Sequence, residues 1–172
     1  TFHIFKLQTM EIVAEYKGKP TSDLFSEILY TTGVEYKEAM LVVENNNVGF
    51  SVLEKILEKG YKNVYHSKKG SHQYVEQYAA VGDSSVVPGF TTSLKTRPLI
   101  IAKFEEFIRN KVLTIYSKRL ANELDTFIWK NGRPEAQRGY NDDLVMAAAI
   151  GCWVRDTAIV ENQKDVEYKK AF

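Results

Sequence analysis

Cysteine is almost absent from this sequence, since Cys152 is the only one in 172 residues. A single thiol excludes an internal disulfide and a zinc site built from several cysteines. The neighbouring alanines predict that Cys152 is a small buried thiol within a helix. The three histidines, His3, His66 and His72, lack the spacing of metal ligands, so each is expected to be a surface or hydrogen-bonded residue.

An excess of charge of one sign is missing too. The net charge is +1, so any surface that attracts nucleic acid must be local. No apolar run reaches the roughly 18 residues that a membrane span needs, and no signal-peptide pattern is present. We therefore expect an intracellular, reducing setting and no membrane partner. The sequence also lacks a glycine-rich phosphate loop, so the chain is not an ATPase by itself, and it lacks a nucleophile elbow.

What is present is the composition of a globular protein, with 44% hydrophobic and 26% charged residues. The patterns predict a single α/β domain over residues 1–172, with a mixed sheet flanked by helices and a charged tail over 161–172. Strands are predicted over 2–7, 11–17, 39–43 (buried on both faces), 64–66 and 111–116, and as a hairpin of 124–130 with 134–137. Helices are predicted from Ser22, over 49–59, near 73–78 in a long loop, from Pro98, and over 143–158.

Acidic residues stand at two positions where α/β proteins commonly build sites. Glu44 comes directly after the predicted buried strand, and Asp142 and Asp143 open the last predicted helix. Carboxylates at a strand end and at a helix start can be gathered as oxygen ligands for Mg²⁺ or Mn²⁺. Such a site suits metal-assisted hydrolysis of a phosphodiester. These three residues are therefore the predicted catalytic and metal-binding residues.

Each acid also has a structural interpretation, and the sequence leaves both interpretations open. Glu44 precedes three asparagines that favour turns, so it can be a solvated turn residue. Asp142 can cap the helix, and a carboxylate in the first turn gains roughly 0.3–1 kcal/mol from the helix dipole. The two interpretations are compatible, because a capping carboxylate keeps lone pairs for a metal. The alanines that follow predict close packing of this helix on the sheet.

Basic residues form local groups despite the neutral total charge. They are candidates for binding a phosphate backbone, although an ordinary solvated surface is the alternative. The residues chosen as DNA-binding candidates are Lys68, Lys69, Lys95, Arg97 and Arg138. Trp129 and Trp153 are expected to pack in the core or on the hairpin.

Three stretches carry a resemblance through their order and spacing: LVVENNNVG at 41–49, TSLKTRP at 92–98 and GYNDDLVMA at 139–147. Together they resemble the C-terminal nuclease domain of the large terminase subunit of tailed phages, particularly the T4-like group. The resemblance runs along nearly the whole chain, and the last stretch is its most specific part. It implies an RNase H-like fold that cuts concatemeric viral DNA during packaging, with two divalent ions, Mg²⁺ or Mn²⁺, in the intact family site.

The resemblance assigns Glu44 as the glutamate after the fourth strand, and Asp142 and Asp143 as the acidic pair that opens the last core helix. The first catalytic aspartate of the family, on its first strand, has no counterpart, because Thr1 already stands in what resembles the second strand. We therefore expect an N-terminally truncated domain that binds metal weakly and cleaves poorly. Loss of a central strand also predicts self-association through exposed strand edges.

The resemblance further implies partners and a location. These are double-stranded DNA, the terminase ATPase domain, the portal and the small terminase subunit, in the cytoplasm of an infected host cell. Two rivals stay open. One is another RNase H-like nuclease, such as a junction resolvase. The other is a non-catalytic DNA- or partner-binding domain, which should be indifferent to Glu44→Ala.

Overall fold

The computed structural model describes residues 1–69, 74–75 and 83–170, with side chains over 1–69 and 83–156. The elements in chain order are β1 Phe2–Lys6, β2 Glu11–Tyr16, α1 Ser22–Glu35, α2 Val48–Glu58, β3 His66–Lys68, β4 Tyr74–Val75, β5 Val86–Pro88, α3 Thr96–Arg109, β6 Thr114–Ile115, α4 Lys118–Asp125, β7 Phe127–Lys130, β8 Arg133–Ala136 and α5 Asp143–Lys170. No helix in this described part is long and apolar enough to cross a membrane.

The contacts within the chain group into two compact units. The first unit consists of Thr1–Gly18 and Ser93–Phe172, and the second unit of Lys19–Thr92. Both units contain helices and strands, so the predicted α/β class is confirmed. The RNase H-like arrangement and the single domain over residues 1–172 stay predictions.

A small mixed sheet organises the first unit. Strands β1 and β2 form the predicted antiparallel hairpin, with Phe2 opposite Tyr16 and a register shift between Ile4 and Phe5. Strand β2 then pairs in parallel with β6, which is shorter than the strand predicted over 111–116. Strands β7 and β8 form the predicted hairpin as a separate two-stranded sheet, although β7 begins at Phe127 and the residues predicted as its start belong to α4.

Helix α5 packs closely on β1 and α3, as its small residues predicted. A side chain at Gly151 would overlap the ring of Phe5. Because glycine has no side chain, α5 can approach β1 closely. Cys152 is fully buried there, as expected, and burial raises the pKa of its thiol to about 12. The core of the unit consists mainly of Ile12, Ile100, Phe104, Phe107, Leu120, Leu144, Ala148 and Cys152.

Helix α3 begins at Thr96, two residues earlier than the start predicted at Pro98. The reason lies in Ser93, whose hydroxyl accepts the Thr96 N–H at 3.2 Å while its own N–H donates to the Thr96 hydroxyl at 2.8 Å. This reciprocal cap starts the helix, and Pro98 is tolerated inside its first turn. Near the end of the helix, the side chain of Ile108 is 39% exposed.

The second unit packs α1 against α2. Thr21 caps α1, its hydroxyl accepting the Leu24 N–H at 3.3 Å, and the side chain of Leu24 is exposed. On α2, Leu53 and Ile56 are fully buried.

Two predictions in the second unit differ from the structure. Residues 39–43 do not form a strand that is buried on both faces, because only Leu41 is buried and the segment pairs through two isolated parallel bridges, Leu41 with Val64 and Glu44 with Phe90. The backbone of the segment bonds first to Asn63 and Tyr65 and then to Phe90, so it forms no continuous ladder with one partner strand. The helix predicted near 73–78 is replaced at Tyr74–Val75 by β4, and the rest of it lies outside the described residues, as does His72.

The last helix is longer than expected. Its backbone continues to Lys170 rather than ending near residue 158, so most of the predicted charged tail is helical. Residues 171–172 lie outside the described part of the chain.

Candidate functional site

Asp142 and Asp143 stand at the start of α5 and differ in exposure. Asp143 is the first residue of the helix and is exposed, whereas the side chain of Asp142 is 25% exposed. The carboxylate of Asp143 makes no hydrogen bond or ion pair within the described residues. Asp143 therefore presents carboxylate oxygens to solvent at the positive end of a helix.

The carboxylate of Asp142 is bound by other residues of the first unit. One of its oxygens pairs with the guanidinium of Arg97 and also accepts the Ala136 N–H at 3.4 Å. Arg97 in turn donates from Nε to the Pro134 carbonyl at 2.9 Å. These contacts join α3, β8 and the start of α5. Arg97, a predicted DNA-binding residue, is thus in contact with a predicted catalytic residue.

The cap of α5 comes from a residue that the sequence analysis did not single out. Glu123, buried on α4, accepts the Leu144 N–H at 2.8 Å and the Val145 N–H at 3.2 Å through one oxygen, while Lys17 pairs with the other. Asp142 was a candidate for this cap, but its carboxylate is directed to Arg97 instead. The one signal in the sequence is that Glu123 follows Leu120 at helical spacing, which puts a carboxylate on the inner face of α4.

His3 contacts the same helix start from β1. Its side chain is fully buried, and Nε2 donates to the Leu144 carbonyl at 3.0 Å. Nδ1 lies 3.9 Å from Oε2 of Glu15, and neither atom has a hydrogen-bond partner within the described residues. Burial is the largest effect and lowers the pKa of His3, while the Leu144 carbonyl and Glu15 oppose that shift. A neutral imidazole therefore helps to fix the first turn of α5.

Glu44 belongs to the second unit and is exposed. Its Oε1 accepts from Asn46 at 3.2 Å, and Asn46 also donates to the Thr92 carbonyl at 3.0 Å. Asn45 donates to the Pro88 carbonyl at 3.0 Å and accepts from the Thr91 hydroxyl at 2.9 Å. Two of the three asparagines therefore brace the turn, and Asn46 orients the Glu44 carboxylate.

Gly49, in the first turn of α2, lies very close to the backbone of Glu44. A side chain at this position would overlap the backbone carbonyl oxygen of Glu44. The first turn of α2 therefore lies directly on the Glu44 turn, and a residue without a side chain is required for that approach.

The remaining DNA-binding candidates are exposed cations. Lys68 and Lys69 lie at the end of β3 in the second unit, and Lys95 and Arg138 lie in the first unit, before α3 and after β8. Unlike Arg97, none of the four makes a side-chain ion pair within the described residues. They are available to bind phosphate groups.

Each carboxylate of the candidate site offers hard oxygen donors, which fit Mg²⁺ or Mn²⁺. Among the described residues no group of three or more His, Cys, Asp or Glu side chains is arranged to hold a metal ion. No family model matches the sequence. The chemistry is therefore argued from the residues themselves.

Proposed function

We propose that this chain is an RNase H-like, metal-dependent DNA endonuclease domain of the phage terminase kind, which hydrolyses phosphodiester bonds of double-stranded DNA in the cytoplasm of an infected cell. The observation that carries the proposal is the start of α5. Asp143 offers an exposed carboxylate there, on a helix end that is held by Glu123, by His3 and by the pair of Asp142 with Arg97. A fixed carboxylate that faces solvent is what a metal ligand requires.

Asp143 is the main ligand of the pair in this proposal. Asp142 is already paired with Arg97, so its proposed role is to hold the position of the helix start. Glu44, whose carboxylate accepts a hydrogen bond from Asn46, is the other proposed metal-binding residue. Divalent ions bound to such residues supply charge stabilisation for the attacking and leaving oxygens of the phosphodiester.

The basic side chains have a different proposed role from the acids, which is to bind DNA. Lys68, Lys69, Lys95 and Arg138 bind backbone phosphates and position the duplex, whereas Arg97 acts through Asp142. The ATPase domain, the portal and the small subunit of a terminase are the proposed protein partners.

The test is single-turnover nicking of a supercoiled plasmid at high protein concentration, with Mg²⁺, with Mn²⁺ and with EDTA. We expect nicking that requires a metal, because the bound ions supply the charge stabilisation in this proposal. Asp143→Asn and Glu44→Gln should each abolish it. Asp142→Asn should reduce it less, since this residue is proposed to act mainly by position.

Matched controls are Asp125→Asn in the first unit and Glu54→Gln in the second, because both remove an exposed carboxylate outside the candidate site. A second readout is Mn²⁺ binding, followed by paramagnetic broadening of NMR signals around residues 44 and 143. Nicking by the Asp143→Asn and Glu44→Gln proteins at the control rate would refute the proposal. DNA binding without nicking, unchanged by any acid substitution, would favour the binding-module alternative.

A further inference from the structure

The hairpin β7–β8 carries a small excess of positive charge. Residues 127–136 contain two basic residues, Lys130 and Arg133, and one acidic residue, Glu135. The turn consists of Asn131 with φ +51° and Gly132 with φ +74°, which is the type I′ geometry that Asn-Gly favours. A stable turn therefore presents a local excess of positive charge.

The two cations nearest the tip lie directly opposite each other. Lys130 pairs with Arg133 in the register of the hairpin, and both side chains are exposed. Like charges at opposite positions destabilise a strand pair. Glu135 offsets part of this repulsion, at 3.6 Å from Lys130, whereas Arg133 has no ion pair within the described residues. An anionic partner would relieve the repulsion that remains.

The other face of the hairpin carries an exposed indole. Trp129 is opposite Pro134, which is fully buried, yet Trp129 itself is 53% exposed. Because side chains alternate along a strand, the indole and the two cations lie on opposite faces of the ribbon. An exposed indole has an apolar ring and a polar N–H, and tryptophan is enriched at interfaces for that reason.

We infer that the hairpin β7–β8 is a duplex-binding element that enters the major groove of DNA with its tip. The groove is about 12 Å wide and admits a two-stranded ribbon. Lys130 and Arg133 bind phosphates of one strand from one face, and Trp129 contacts the opposite groove wall. The two positive charges at the tip favour a polyanion as the partner. The width of the two-stranded ribbon fits the major groove, which favours a duplex. The inference takes its substrate from the proposed function but does not require the acids to be catalytic.

The first test measures binding of a fluorescently labelled duplex in EDTA, so that no cleavage occurs, over a salt titration. The Lys130→Gln/Arg133→Gln protein should bind more weakly than the unmodified chain. Loss of two phosphate contacts should reduce the slope of log K against log salt by about 1.8. The matched control is Lys6→Gln/Lys118→Gln, which removes two exposed cations on β1 and α4.

Stability provides the internal check on this variant. Removing two opposed positive charges should leave the melting temperature unchanged or raise it, so weaker binding would not reflect unfolding. Equal slopes for the hairpin and control proteins would overturn the inference, and so would the absence of duplex binding in EDTA.

The second test follows Trp129 directly. The chain has two tryptophans, so a Trp153→Phe protein reports the emission of Trp129 alone. Saturating duplex should shift that emission and shield it from acrylamide, whereas a single strand of the same sequence should do so less. Unchanged emission at saturation would overturn the inference.

Failure of the inference and failure of the proposed function have different signatures. If the hairpin variant binds and nicks like the control, the hairpin is not a duplex-binding element while the nuclease proposal stands. If Asp143→Asn nicks DNA normally while the hairpin variant loses its salt slope, the nuclease proposal fails and the hairpin assignment stands.

Discussion

The carboxylate of Glu123 accepts the backbone N–H of Leu144 at 2.8 Å, although 21 residues separate them along the chain. The same oxygen accepts the Val145 N–H, and Lys17 pairs with the other oxygen. A buried acid on α4 therefore takes the place of a local cap for α5.

Replacing Glu123 with glutamine should destabilise the first unit. The variant keeps an oxygen acceptor but loses the charge that strengthens both hydrogen bonds and the pair with Lys17. We expect a loss of about 1.5–3 kcal/mol in the free energy of unfolding, measured by urea denaturation. Asp125→Asn, an exposed acid on the same helix, should change stability by less than about 0.5 kcal/mol. Equal effects of the two substitutions would contradict the capping role.

Arg97 and Asp142 should behave as a coupled pair. A double-mutant cycle of Arg97→Ala and Asp142→Ala should give a coupling energy on the order of 1 kcal/mol, because both side chains are about three-quarters buried and share one contact. A matched cycle with Lys95→Ala and Asp142→Ala should give none. Additive effects in the first cycle would show that the contact does not contribute to stability.

Gly49→Ala should disturb the Glu44 turn. The new methyl group would overlap the Glu44 carbonyl oxygen, and backbone atoms cannot move aside as a flexible side chain can. We expect destabilisation of about 1–3 kcal/mol, together with changed NMR shifts at Glu44 and Asn46. Ser51→Ala on the same helix is the control. Unchanged shifts at the turn would show that the helix and the turn are less tightly packed than the structure indicates.

His3 should make stability depend on pH. Its ordinary pKa of 6.5 is lowered by burial in the folded state, so below about pH 6.5 the unfolded chain binds a proton that the folded chain does not. Stability should therefore fall as the pH drops from 6.5 toward the folded pKa, by up to about 1.4 kcal/mol per pH unit. Urea denaturation between pH 8 and pH 5 measures this slope. His3→Gln should lose this contribution, and identical slopes for both proteins would exclude His3 as the cause.

Local signals in the sequence predicted the parts of the fold that local structure decides. The hairpin of β1 with β2, the Asn-Gly hairpin and the start of α5 at Asp143 were all correct, because each depends on neighbouring residues. The exposure of Trp129 was missed, since burial depends on what packs against the hairpin.

Long-range contacts could not be predicted. Nothing in the sequence indicates that Arg97 contacts Asp142 or that Glu123 contacts Leu144. Arg97 was therefore predicted to bind DNA, whereas it pairs with Asp142. Glu123, which caps α5, was overlooked. The strand expected over 39–43 failed for a related reason, because an apolar run does not reveal how many partner strands it will find.

The contacts at the start of α5 have a consequence for the order of folding. His3 reaches Leu144 across 141 residues, and Lys17 reaches Glu123 across 106. Closing such large loops is entropically costly and slow, so these contacts should form late. The turn that carries Asp142 and Asp143 would then be among the last parts of the first unit to reach its final geometry during refolding.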